Sequence, residues 1–169
     1  MRILYYLNTF FAGVGGEETA DDALSFVTER PGPVAGLAAM LGEGFEIPVV
    51  AIAGDNYANG HIDEMLNLIE NKIKEEKIDL LVAGPAFNAG RYCQACAKVC
   101  ERAMQACGIP ALTAMHEQCP GVEEYCKRCY IFPSKINAAG MKPALTTMAK
   151  FIYKIGKGEA LKGAAEEGY

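Results

Sequence analysis

The residues with the most chemical potential in this chain are its cysteines. Seven are present among 169 residues. Cys93, Cys96, Cys100 and Cys107 are spaced i, i+3, i+7 and i+14, which places them close to one face of a helix. Cys126 and Cys129 form a second CxxC pair, with Cys119 seven residues earlier. Cys93, Cys96, Cys126 and Cys129 could supply four thiolates to a zinc ion or an iron–sulfur cluster if the segment 119–129 folds back toward the start of the helix. Lys127 and Arg128 would lower the pKa of the neighbouring thiols, so a redox dithiol at Cys126/Cys129 is the alternative. Cysteine also behaves as a small apolar residue and is often buried. Cys107 fits that description, about 21 Å along the helix from Cys93 at about 1.5 Å per residue. An odd number with CxxC spacing favours reduced thiols, metal or redox chemistry over structural disulfides.

A second set of residues suits a small anion. Ala83-Gly-Pro-Ala-Phe-Asn-Ala-Gly-Arg-Tyr92 links a buried apolar run to a helix. Free N–H groups and the positive dipole end at a helix start favour negative charge. Arg91 adds a planar fork that matches a carboxylate or phosphate, and Asn88 stands beside it. Gly15 and Gly16 belong to a glycine turn, residues 13–18, after the first apolar run. That turn lacks a full dinucleotide fingerprint because Glu18 occupies the third glycine position. Asp55 and Asn56 follow the second apolar run, and His116 and Glu117 follow the fourth. The expected substrate- or anion-binding set is Asn88, Arg91, Gly15, Gly16, Asp55 and Asn56.

These residues must be positioned by the elements around them. Apolar runs at Arg2–Leu7, Ile47–Ala53, Ile78–Val82, Ile109–Met115 and Tyr130–Phe132 predict strands. Val34–Leu41, Asp63–Lys77, a run ending near Gly108, and Met141–Lys154 predict helices, the second with Met65, Leu66, Ile69 and Ile73 at helical spacing. Alternation of the two implies an α/β, three-layer fold with a mostly parallel sheet of about five strands, flavodoxin-like or Rossmann-like. Right-handed crossovers would gather the post-strand loops on one edge. Residues 1–155 are expected to form a single α/β domain, and 156–169 a linker or frayed tail.

Composition narrows the function classes. Hydrophobic residues make up 51% and charged residues 22%, as in ordinary globular chains. The net charge is −5 with scattered Lys and Arg, so no nucleic-acid footprint is expected. No run approaches the roughly 20 apolar residues of a membrane helix, and no signal peptide is evident, so a cytoplasmic location is expected.

Several segments resemble the amino-terminal part of component B of glycine reductase, a selenoprotein family that also serves sarcosine and betaine reductases. They are Phe10-Phe-Ala-Gly-Val-Gly-Gly-Glu-Glu18, Gly54-Asp-Asn-Tyr57, the Ala83–Tyr92 stretch, Pro120-Gly-Val-Glu123 and Ala139-Gly-Met141. The resemblance implies a part in anaerobic reductive deamination of a small amine, with pyruvoyl-containing and selenoprotein reductase subunits as partners. In the family a selenol displaces the amine of glycine, held as an imine on the pyruvoyl subunit. The carboxymethyl group then passes to a second selenoprotein and leaves as acetyl phosphate. Family members are longer, and their selenocysteine lies in a carboxyl-terminal half. No residue here is assigned that role, so this chain alone is expected not to reduce amines. Cys96 and Cys100 match thiols of the family pattern, Cys93 stands where glycine is expected, and Cys126/Cys129 are additions. A non-catalytic iron–sulfur or zinc protein for electron transfer or docking is the other expectation.

Overall fold

The computed structural model describes residues 1–169. Six strands form one sheet: β1 (Arg2–Asn8), β2 (Ser25–Val27), β3 (Glu46–Ala53), β4 (Leu80–Phe87), β5 (Ala111–Met115) and β6 (Tyr130–Pro133), in the order β2-β3-β1-β4-β5-β6. Only β2 runs antiparallel, with Ser25 opposite Ile52 and Val27 opposite Val50. The five parallel strands have the doubly wound order of flavodoxin-like folds, in which the winding reverses between β1 and β4. The helices are α1 (Gly32–Leu41), α2 (Asp55–Gly60), α3 (Ile62–Glu75), α4 (Gly90–Ala106), α5 (Pro120–Tyr125), α6 (Met141–Gly156) and α7 (Ala164–Glu167).

Both faces of the sheet are buried, which is why its central strands are continuous apolar runs. In β1, Leu4 and Tyr6 point into one core and Ile3, Tyr5 and Leu7 into the other. The first core is closed by α2, α3, α4 and α5, and the second by α1 and α6. Met65, Leu66, Ile69 and Ile73 of α3 are buried as their spacing predicts. Each such side chain removed from water contributes roughly 1.5–3 kcal/mol.

Four differences from the sequence reading have local causes. The sheet has a sixth strand, β2, because three residues with a polar start carry too little pattern to be recognised. β4 does not stop at Val82 but continues through Gly84 and Pro85 to Phe87, with a register shift between Ala83 and Phe87. Gly84 holds φ +88° there, a conformation open to glycine, and its carbonyl accepts a hydrogen bond from the buried Tyr5 hydroxyl at 2.7 Å. The segment expected as a 119–129 loop begins with the helix α5, which Pro120 opens. Finally, the tail after α6 is docked: the Tyr169 ring lies 4.8 Å from Tyr130 and 5.7 Å from Phe151, and Lys154 pairs with Glu167 at 2.6 Å.

Candidate functional site

The carboxyl ends of β1, β3 and β4 surround a cleft of about 280 Å³, at the reversal in strand order. Its lining includes Asn8, Phe10, Phe11, Glu17, Asp55 and Arg91. Asn8 ends β1 and is buried. Its Oδ1 accepts from the Phe11 N–H at 2.9 Å, and its Nδ2 donates to both Asp55 oxygens at 3.3 and 3.1 Å. Burial raises the pKa of Asp55, while the Asn8 amide and the Arg91 charge oppose that rise.

Arg91 stands at the start of α4. Its Nη2 donates to both Glu17 oxygens, at 2.7 and 2.9 Å, and its Nη1 donates to Asn56 Oδ1. The Asn59 amide fixes the neighbouring backbone by donating to the carbonyls of Asp55 and Arg91 at 2.8 and 3.1 Å. α2 is thereby tied to the first turn of α4. Two carboxylates and one guanidinium thus face a partly apolar cleft. The Phe11 ring stacks on Tyr92 at 5.6 Å, while Phe10 is 62% exposed at the rim.

Of the expected binding residues, Gly16, Asp55 and Arg91 line this cleft, and Asn56 reaches it through Arg91. Gly15 and Gly16 shape the turn that carries Glu17. Added carbon on Gly15 would run into Thr19, whose hydroxyl donates to the Gly16 carbonyl at 2.8 Å. The Gly16 N–H is taken by Glu18 Oε1 at 2.8 Å, so that donor is already satisfied. Asn88 is exposed and faces the other way, with Oδ1 3.7 Å from Cys119 Sγ. His116 donates its backbone N–H to the Phe87 carbonyl at 2.7 Å. Glu17 and Asn59 were missed because an exposed Glu in a turn and an Asn in a short helix carry no pattern. Phe10 and Phe11 lay within a recognised segment but had no role attached.

The cysteines pair differently from their spacing. Cys93 is joined to Cys119 in a disulfide spanning 26 positions, where the spacing favours a reduced thiol or metal ligand at Cys93. Cys96 and Cys100 are wholly buried, and burial pushes both thiols well above their ordinary pKa, leaving them protonated. Cys129 is buried beneath α4 near the Ala97 carbonyl, whereas Cys126 is exposed. Cys107 caps the end of α4 and is half-buried instead of fully enclosed. No three His, Cys, Asp or Glu side chains converge in a way that could hold a metal ion. Cys93, Cys96, Cys126 and Cys129 therefore do not assemble the four-thiolate zinc or iron–sulfur arrangement in this structure. A wider hollow of about 430 Å³ between α1 and α6 is lined by Met40, Thr146 and Tyr153. It lies away from the loop edge, since Tyr153 stacks near Phe45 just before β3.

The family model for glycine/sarcosine/betaine reductase selenoprotein B matches residues 1–169. The chain belongs to this family. It is 39% identical over 170 residues to the glycine reductase complex component B subunit gamma of Peptoclostridium litorale, covering 100% of this chain and 39% of that protein. The glycine reductase complex component B subunit gamma of Carboxydothermus hydrogenoformans is 44% identical over 172 residues, covering 99% of this chain and 39% of its own. The sarcosine reductase complex component B subunit beta of Peptoclostridium acidaminophilum is 38% identical over 169 residues, covering 100% and 39%. The chain thus spans about two fifths of the length of these relatives. No solved structure matches it. No helix is long and apolar enough to cross a membrane.

Proposed function

We propose that this chain is the amino-terminal region of a component B subunit that acts in the reductive deamination of glycine, sarcosine or betaine. Its part in that reading is recognition of the small substrate at the cleft between β1, β3 and β4, while the selenol acts from elsewhere. The family assignment supports the reaction class. The observation that carries the binding role is the Arg91 clamp, a guanidinium held by Asn56 and Glu17 in a cleft that also presents Asn8, Asp55 and two phenylalanines. A guanidinium suits the carboxylate common to all three substrates. Asp55 and the exposed Phe10 ring suit an amine or a methylated ammonium. Glu17 pairs with Arg91 and is the group a substrate carboxylate would replace. Partners in this reading are the pyruvoyl-containing and selenoprotein subunits of the reductase, in an anaerobic amino-acid fermentation that yields acetyl phosphate.

Titration calorimetry with glycine, sarcosine, betaine and acetate tests the binding role. Arg91→Lys weakens binding although the charge is retained, because a planar fork becomes a point charge. Glu17→Gln tightens it by releasing Arg91. Equal affinities for the parent chain and both variants would leave Arg91 a surface residue and overturn the assignment of the cleft.

A further inference from the structure

We propose that Cys93–Cys119 is a reversible redox crosslink that holds the Asn88–Arg91 turn in place. The pair joins the first turn of α4 to the cap of α5. Between these elements lies the end of β4, from which the Phe87 carbonyl points at both sulfurs. Cys119 Sγ is 3.2 Å and Cys93 Sγ 3.5 Å from Phe87 O. Cys93 Sγ also lies 3.8 Å from Ala86 O, and Cys119 Sγ 3.7 Å from Asn88 Oδ1. A disulfide donates no hydrogen bond, but two thiols do. Carbonyl and amide oxygens that could accept from both S–H groups already lie within reach of the two sulfurs. The same surroundings therefore suit the bonded and the reduced pair, which a purely structural disulfide does not need.

The rest of the chain argues in the same direction. Five cysteines remain thiols, and one of them, Cys126, is exposed. A chain that keeps an exposed thiol is suited to reducing surroundings, where a disulfide is more often transient than structural. The sulfurs themselves are covered, but the cover over Cys119 is thin, since its neighbours Gln118 and Pro120 are both exposed. Exchange therefore proceeds through a local opening of residues 116–119 and not through unfolding of the core.

The reductant is a dithiol, either a small molecule or a protein dithiol. One of its thiolates attacks Cys119 Sγ, the S–S bond breaks, and Cys93 leaves as a thiolate and takes up a proton. The second thiol of the reductant then attacks the mixed disulfide and releases Cys119, which is protonated in turn. Two electrons pass to the protein, and the reductant leaves as its own disulfide. With the bond open, Asn88 Oδ1 gains a thiol donor and the turn leading to Arg91 is no longer fastened to α5. The bond itself stands independently of the substrate reading, and only its bearing on the cleft rests on that reading.

The test uses the 169-residue chain, which carries its own two-sided core, purified without reductant. Alkylation after denaturation labels five cysteines before treatment of the native protein with dithiothreitol and all seven afterwards, with circular dichroism unchanged. Hydrogen exchange then shows faster opening at residues 87–91 and 116–119 in the reduced protein, while α3 is unaffected. Cys93→Ser and Cys119→Ser each reproduce the reduced exchange pattern without treatment, so one variant suffices if the other does not fold. Seven labelled cysteines before reduction would overturn the proposal. A bond that yields only in denaturant would do so as well, as would unchanged exchange at 87–91. None of these readouts involves a ligand, so failure here is distinguishable from failure of the binding role.

Discussion

Gly54 offers a sharp test of how the cleft is assembled. It follows β3 with φ −69° and ψ 148°, an ordinary extended conformation that any residue can adopt. Alanine there carries no backbone strain, and the cost is purely steric. Its Cβ would fall well inside 3.0 Å of the backbone of Thr19 and Ala20, atoms that cannot rotate away. The same contact holds three hydrogen bonds: Gly54 N–H to Asp22 O at 2.9 Å, and Asn56 and Tyr57 N–H to Ala20 O at 2.7 and 3.1 Å. Losing all three would cost about 1.5–4.5 kcal/mol at a net ~0.5–1.5 each. Shifting them to relieve the overlap would cost roughly 1–3 kcal/mol. We expect Gly54→Ala to destabilise the chain by about 1.5–3 kcal/mol, the range common to both routes. At ~2–4 °C per kcal/mol for a protein of this size, the melting temperature falls by roughly 3–12 °C. Gly60→Ala is the control, because nothing lies within 4 Å of its Cβ position and its φ is not positive. It should be stabilising by about 0.4–1 kcal/mol through the unfolded chain. Thermal and urea unfolding followed by circular dichroism measure both. Indistinguishable melting temperatures for the two variants would refute the reasoning.

Further outcomes follow from single contacts. Tyr5→Phe leaves the Gly84 carbonyl without its buried donor and should cost about 1–3 kcal/mol in urea unfolding, whereas Tyr6→Phe removes a buried hydroxyl that has no partner and should cost nothing measurable. Asp55 has a folded-state pKa raised above 3.8, chiefly by burial, so the folded chain binds its proton more tightly than the unfolded chain. Its contribution is therefore fully present below pH 3.8 and is lost as pH rises through the raised value. Asp55→Asn should flatten that part of the stability–pH curve, and an unchanged curve would show that Asp55 does not titrate in this window.

The fold was legible where burial is two-sided and runs are long. Five of six strands and the main helices follow from β1-type apolar runs and from stripes such as Met65–Ile73. What escaped was short or depended on distant partners. β2 exists because Ser25–Val27 pairs with β3 across 25 residues of chain, which no local pattern encodes. The site was legible in part. Strand ends announced Asp55 and Arg91, since polar residues after buried runs gather on one edge. Glu17 could not be anticipated, because its role depends on Arg91, 74 positions away. The disulfide between Cys93 and Cys119 was hidden for the same reason: helical spacing aligns sulfurs along one face, whereas a disulfide needs Cα atoms facing across a gap, here 6.5 Å.

The two rims of the sheet have a consequence for assembly. A row of unpaired backbone groups on an outer strand is a template on which another chain can pair. Here one rim is the three-residue β2, and the other is the four-residue β6, which ends at Pro133. Neither is long enough to template a stable added strand, and proline removes a donor from the second. Extension of the sheet into a neighbour is thus blocked at both ends. Any subunit that meets this domain has to engage helix surfaces or the loop edge, so assembly and access to the cleft compete for, or share, the same ground.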